Sequence, residues 1–137
     1  WAQVGTVAPP RPSIVSEDAT WWNGHWYWFS TERISFAEAK ALAAKMKGKL
    51  LTISSQEEND FVMSRIEGVA FLGIERIDGK WTILEGGAPQ FWNWDTSEPA
   101  NSPRETVAGI GYAVNGRWHD FYGDDKHFAA IEWGSEK

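Results

Sequence analysis

The stretch Phe71-Leu72-Gly73-Ile74-Glu75-Arg76-Ile77-Asp78-Gly79-Lys80-Trp81-Thr82-Ile83-Leu84 decides the fold class. Two apolar, strand-forming runs, Phe71 to Ile77 and Lys80 to Leu84, flank Asp78-Gly79. That dipeptide accepts positive φ at both central positions of a tight hairpin, the turn whose twist matches paired strands. Upstream of this point apolar residues recur at helical spacing, and downstream they recur at strand spacing. Two helices upstream and mainly strands from Phe71 onward predict an α+β domain.

Upstream, Ser35 and Glu38 have capping-box spacing, followed by Phe36, Ala39, Ala43 and Met46 at helical intervals and Gly48 as a stop. Leu50-Leu51-Thr52-Ile53 reads as a short buried strand. Ser55 and Glu58 repeat the capping-box spacing before Phe61, Val62 and Ile66. Before these helices, His25-Trp26-Tyr27-Trp28-Phe29 is an aromatic run with strong strand preference. Residues 1–20, with Pro9, Pro10 and Pro12 and no apolar period, read as a linker or tail, the end of a tether to an upstream domain. The globular domain is expected over residues 21–137. Trp21 and Trp22, at that junction, either cover a sheet edge or meet a partner.

Downstream, Val107 to Val114 and Arg117 to Tyr122 flank Asn115-Gly116, a second hairpin signal, and Phe128 to Trp133 closes the chain as an apolar strand. Between the hairpins, residues 85–106 carry Gly86, Gly87, Pro89, Pro99 and Pro103, which leaves little room for regular structure. Loops of that length inside a compact domain are usually functional.

Composition excludes several classes of function. The 137 residues suit one domain, and 42 % hydrophobic against 23 % charged is a globular balance. The net charge is -6, and residues 71–137 hold 11 Asp and Glu against 6 Lys and Arg, so no basic stripe suits nucleic acid. No apolar run reaches the ~20 residues of a membrane span. With no cysteine there is no disulfide, thiolate nucleophile or zinc–sulfur site. The metalloprotease, serine-hydrolase and P-loop motifs are absent, and Gly109-Ile110-Gly111-Tyr112 does not open a helix as a phosphate cradle must. His25 reads as structural, and His127 with Asp124 and Asp125 as turn residues.

The informative set is Glu98, Asn101, Glu105, His119 and Asp120. If the strand after Asn115-Gly116 passes beneath the long segment, three carboxylates and an amide converge, the oxygen-rich surroundings that calcium takes. The alternative is an acidic surface loop that holds no ion. Among the ten tryptophans, Trp81, Trp92 and Trp118 suit packing at the base of the loop, whereas Trp94, just before Glu98-Pro99, is placed to present its ring to a ligand.

From Gly24 to Trp133 the chain resembles the C-type lectin-like domain. Lys47-Gly48-Lys49-Leu50-Leu51-Thr52-Ile53 is similar to that family's helix–Gly–strand unit, and Ser54-Ser55-Gln56-Glu57-Glu58-Asn59 to the start of its second helix. Phe71-Leu72-Gly73-Ile74 resembles its Trp-Ile-Gly-Leu core motif, and Trp81 to Gly87 the entry to its long loop. Glu98-Pro99-Ala100 and Trp118-His119-Asp120 stand where sugar-binding members carry Glu-Pro-Asn and Trp-Asn-Asp. The resemblance implies two helices flanking mixed, mainly antiparallel sheets, with a long irregular loop. It implies a non-catalytic module that binds a glycan or a protein, and a cis bond before Pro99.

It also implies one calcium, with Glu98, Glu105 and Asp120 as ligands. Ala100 departs from that set by supplying no oxygen, and His119 by offering a nitrogen, which calcium disfavours. Thr106 replaces an acidic residue that often supports a further calcium. The family's usual cystines would fall on Ala43 with Ile131 and on Val107 with Gly123. Cysteine-free members are typical of prokaryotes, which implies an extracellular or cell-surface domain of such an organism. Together these departures favour recognition of a protein or other ligand without the usual calcium site, with calcium-dependent glycan binding as the alternative.

Overall fold

A computed structural model describes residues 7–86 and 91–135. Gly87 and Pro89 of the long segment, residues 1–6 of the tail and residues 136–137 lie outside the described residues. In chain order the elements are β1 (Thr20–Trp22), β2 (His25–Ile34), α1 (Phe36–Lys45), β3 (Lys49–Leu50) and α2 (Gln56–Met63). They continue with β4 (Ala70–Ile77), β5 (Lys80–Ile83), β6 (Glu105–Ile110), β7 (His119–Tyr122) and β8 (His127–Trp133). The sheet runs β1-β2-β8-β4-β6-β7, with β3 added on β8 and β5 on β4. The β4–β8 pairing is parallel and the other strand pairings are antiparallel. This is the expected α+β architecture of two helices with a mixed, mainly antiparallel sheet.

Strand parity sorts the interior into two cores, because successive side chains point to opposite faces. Ala129, Ile131 and Trp133 of β8 join Phe36, Ala39 and Ala43 of α1, with Phe71, in one cluster. Ala130, with Ala70, Leu72 and Ile74 of β4, joins Val62 of α2 and Trp118 in the other. Packing reaches back to Val15, which is 2 % exposed, five residues before β1 begins. The ordered unit thus extends into the Pro-containing segment expected to be a linker. Trp21 and Trp22 lie in β1, covering the edge of β2, and Trp22 stacks on Phe61 at 4.7 Å.

The cystine positions are filled by packing. Ala43 and Ile131 are both buried in the α1-side core. A Cβ on Gly123 would come within 4.0 Å of Val107 Cγ1. Gly48 lets β8 approach, since a Cβ there would lie 2.6 Å from Ile131 Cγ2. The left-handed residue that ends α1 is Lys47 (φ 58°).

Asp78-Gly79 forms the expected tight hairpin, with Ile77 opposite Lys80 and φ of 50° and 78°. The Ser35 capping box is complete: Glu38 N donates to Ser35 Oγ (3.2 Å) and Ser35 N to Glu38 Oε1 (2.9 Å). Three local readings need correction. At α2, Glu58 N donates to Ser55 Oγ, but the Glu58 carboxylate does not reach back to Ser55. It accepts instead from Ser54 N (2.8 Å) and from the buried Tyr27 hydroxyl (2.6 Å), a tertiary partner that local spacing does not foresee. Asn115-Gly116 does not make a two-residue hairpin either, because β6 and β7 pair only as far as Gly109 and His119. Residues 111–118 leave the ladder because Trp118 pairs with the long segment: its N donates to Asn93 O (2.8 Å) and its carbonyl accepts from Asp95 N (3.0 Å). The expected strand over Leu50 to Ile53 is likewise shorter, confined to Lys49–Leu50.

Candidate functional site

The long segment lies across the β7 end of the sheet and is held there by backbone and side-chain hydrogen bonds. Asn93, 9 % exposed, donates through Nδ2 to Gly116 O (3.2 Å), and Trp94 bridges to Trp118. The chain then turns, with Glu98 N donating to Asp95 O (2.9 Å), and the Glu98–Pro99 bond is cis, as the resemblance implied. Asp120, 3 % exposed on β7, accepts from Ala100 N through Oδ1 (3.0 Å) and from Asn101 N through Oδ2 (2.8 Å). Two amides inside the irregular segment thus share one buried carboxylate, which latches the segment to the sheet.

A second tie runs to the Asp78-Gly79 hairpin. Asn101 (φ 59°) accepts through Oδ1 from Trp81 Nε1 (3.0 Å) and Arg76 Nη1 (3.4 Å). Arg76 Nη2 also donates to Ser102 O (2.6 Å). Asn101 is therefore spent on holding the loop rather than standing in for Ala100 as a ligand.

His119 sits between two carboxylates. Its Nδ1 is 2.7 Å from Glu98 Oε2, its Nε2 is 3.0 Å from Asp95 Oδ2, and the side chain is 16 % exposed. A neutral imidazole has one N–H, so both contacts are hydrogen bonds only when both ring nitrogens carry protons. Asp95 is held below the usual carboxylate range, first by the Thr96 amide that donates to it and further by His119. Tyr112, 68 % exposed, packs edge-on to the imidazole at 4.8 Å.

Of the residues expected at the site, the structure brings Glu98, Asn101, His119 and Asp120 together. Glu105 opens β6 opposite Tyr122 and has no hydrogen bond or ion pair with that group among the described residues. No group of three or more Asp, Glu or His side chains suited to a metal is found among the described residues. The donor chemistry gives the reason: Ala100 has no side-chain oxygen, His119 occupies Glu98, and both Asp120 oxygens take backbone amides.

Trp94 does not stand free. It lies against Trp81 (4.9 Å), Trp118 (6.0 Å) and Trp92 (6.3 Å, 14° between planes). The open ring is Trp92, 40 % exposed, which had been expected to pack at the loop base. Sequence reading also missed Asp95 and Arg76. The Asp95-Thr96-Ser97-Glu98 spacing signals a carboxylate pair on one turn, whereas nothing local marks Arg76.

The family described as "Lectin C-type domain" matches residues 32–129, and the chain belongs to it. Human C-type lectin domain family 10 member A is 29 % identical over 101 residues, covering 69 % of this chain. The chain spans 32 % of that protein's length. The human scavenger receptor C-type lectin carbohydrate-recognition domain superposes with a TM-score of 0.79 at 25 % identity, covering 94 % of this chain and 100 % of that one. A calcium-independent type II antifreeze protein superposes at 0.82 with 16 % identity, covering 92 % and 98 %, a likeness of fold alone. The fold thus spans glycan-binding and calcium-independent proteins, and the chain is a non-catalytic binding module.

Proposed function

We propose that this domain recognises a protein or other ligand without calcium, through the surface formed by Trp92, Trp94, Tyr112 and the Asp95–His119–Glu98 bridge. One observation carries the reading: His119 fills the space between Asp95 and Glu98, so the carboxylate that would face a calcium faces an imidazole. An open indole beside a hydrogen-bonded charged cluster suits a polar partner with an apolar face, since Trp combines a large contact area with a polar edge. We place the domain outside or on the surface of a prokaryotic cell, on the ground that it carries no cysteine at the family's usual cystine positions.

A second reading, calcium-dependent glycan binding, is favoured by Glu98 and Asp120, which stand at ligand positions of the sugar-binding members and lie together where the long segment meets β7. A ligand that binds only the native state raises its melting temperature by mass action. The expected result is an unchanged Tm between millimolar calcium and chelator, and a glycan array with no calcium-dependent signal. A calcium-dependent rise in Tm together with chelator-sensitive glycan binding overturns the metal-free reading in favour of the second.

A further inference from the structure

Away from the long segment, a cleft of about 450 Å³ opens beside β2, lined by Asp18, Thr20, Tyr27, Phe29, Ser64 and Arg65 among others. None of the long-segment residues lines it. Its origin is a mismatch in strand length. β2 runs from His25 to Ile34, whereas β1 covers only Thr20–Trp22 and its pairing ends at Thr20 opposite Tyr27. Before Thr20 the chain turns off the ladder, with Ala19 N donating to Ser16 O (3.0 Å).

Strand parity then fixes what β2 presents to the cleft. In the β1–β2 hairpin the residues next to the Asn23-Gly24 turn, Trp22 and His25, form the first hydrogen-bonded pair, so Thr20 and Tyr27 form the next one. Tyr27 therefore turns its amide and carbonyl toward β1, and Phe29, two residues on, turns its own the same way. The other neighbour agrees: Phe29 lies opposite Ala130 of β8, and the Ala130 carbonyl points away from β2 to accept from Leu51 N (2.9 Å). β1 has ended where the Phe29 groups face outward. A strand edge of this kind is a template for a further strand.

The walls add a charge pattern. Arg65 donates through Nη2 to Thr20 Oγ1 (2.9 Å), which holds the guanidinium beside Thr20, and it has no ion pair among the described residues. Asp18, exposed, also lines the cleft and has no ion pair among the described residues.

We propose that this cleft takes an extended peptide that adds to the edge of β2 as a new strand, exchanging hydrogen bonds with the Phe29 main chain and placing an acidic side chain on Arg65. Main-chain pairing supplies the attachment in such strand addition, and the side-chain pockets supply the selectivity. Arg65 offers the planar fork that matches a carboxylate. Asp18, the other charged residue of the lining, selects a basic or neutral residue at a second position of the peptide.

The test uses an array of octapeptides alternating Thr and Val, with one Glu and one Lys scanned through all positions, against the full chain. Peptides with Glu and Lys in one order are expected to bind best, and Arg65→Glu is expected to weaken them at least tenfold while Arg65→Lys weakens them less. Exchanging both charges, Asp18→Lys with Arg65→Glu, is expected to reverse the preferred order. N-methylation of alternate peptide amides is expected to abolish binding in one register and spare it in the other. Hydrogen exchange is expected to slow at the Phe29 amide. The proposal is overturned if no peptide binds, if both methylation registers are tolerated, or if Arg65→Glu has no effect. Protection at Ala100 and Asn101 in place of Phe29 moves the peptide to the long segment and also overturns it. So does a glycan array that gives Arg65-dependent binding where the peptides give none, which makes the cleft a saccharide site.

Discussion

Two places in this molecule set a histidine against carboxylates, with different consequences. In the interior, Glu132 (0 % exposed) accepts from Thr52 N (2.9 Å) and lies 3.4 Å from His25 Nδ1. Glu58 beside it, 2 % exposed, ties Tyr27 to the start of α2. At the surface, His119 joins Asp95 and Glu98 under a half-open cover. The residue types are the same and burial separates the roles. Removing one partner of a buried pair leaves a charge or dipole with no water to replace it, whereas a partly wet pair recovers most of the loss from solvent. The interior set therefore holds the fold together, and the surface set is free to be spent on recognition.

The largest expected effect tests the interior. Glu58→Ala removes the carboxylate that the Tyr27 hydroxyl and the Ser54 amide donate to, and we expect a loss of about 2–5 kcal/mol in urea unfolding, since each buried donor deprived of its acceptor costs about 1–3 kcal/mol. A loss as small as a surface substitution gives would erase the distinction. Asp120→Ala comes next, because Asp120 is a buried carboxylate that belongs to the surface site. We expect about 1–3 kcal/mol from two orphaned amides, and hydrogen exchange that accelerates at Ala100 and Asn101 while the α1-side core stays protected. Uniform acceleration would mean that the latch is part of the core.

The third prediction concerns alkali. Burial, reinforced by Glu58, pushes the Tyr27 phenol far above its ordinary value. The native state keeps that proton when the unfolded chain loses it. Stability is thus complete below pH ~10 and falls by about 1.4 kcal/mol per pH unit above it. Tyr27→Phe removes that slope, which unfolding measured at pH 9, 10 and 11 reads out. The smallest expected effect is on the surface bridge: His119→Gln shifts the denaturation midpoint less than Asp120→Ala does, and the shift shrinks further in high salt. A large shift would make His119 a structural residue like His25.

Much of the fold was legible along the chain. The Asp78-Gly79 hairpin, the Ser35 cap and the apolar strand that closes the chain over Phe128 to Trp133 follow from backbone preference and spacing, which are local quantities. What failed to read locally failed for one reason. Glu58 abandons its capping box for Tyr27, 31 residues away in the chain, and Trp118 leaves the hairpin ladder to pair with Asn93 and Asp95. In each case a contact distant in sequence outweighs a local preference worth about 1 kcal/mol.

The site divides the same way. Residue types alone set Ala100 and His119 apart from the calcium ligands that the resemblance implies, because a methyl group has no donor and an imidazole nitrogen is a poor ligand for a hard cation. Tertiary structure alone decided that Asp95 joins Glu98 on His119, that Asp120 serves the backbone of the long segment, and that Trp92 rather than Trp94 is the open ring. A ligand's element is a property of one side chain. Which partner a carboxylate meets depends on how an irregular segment closes over a strand, and that geometry is set by the whole sheet beneath it.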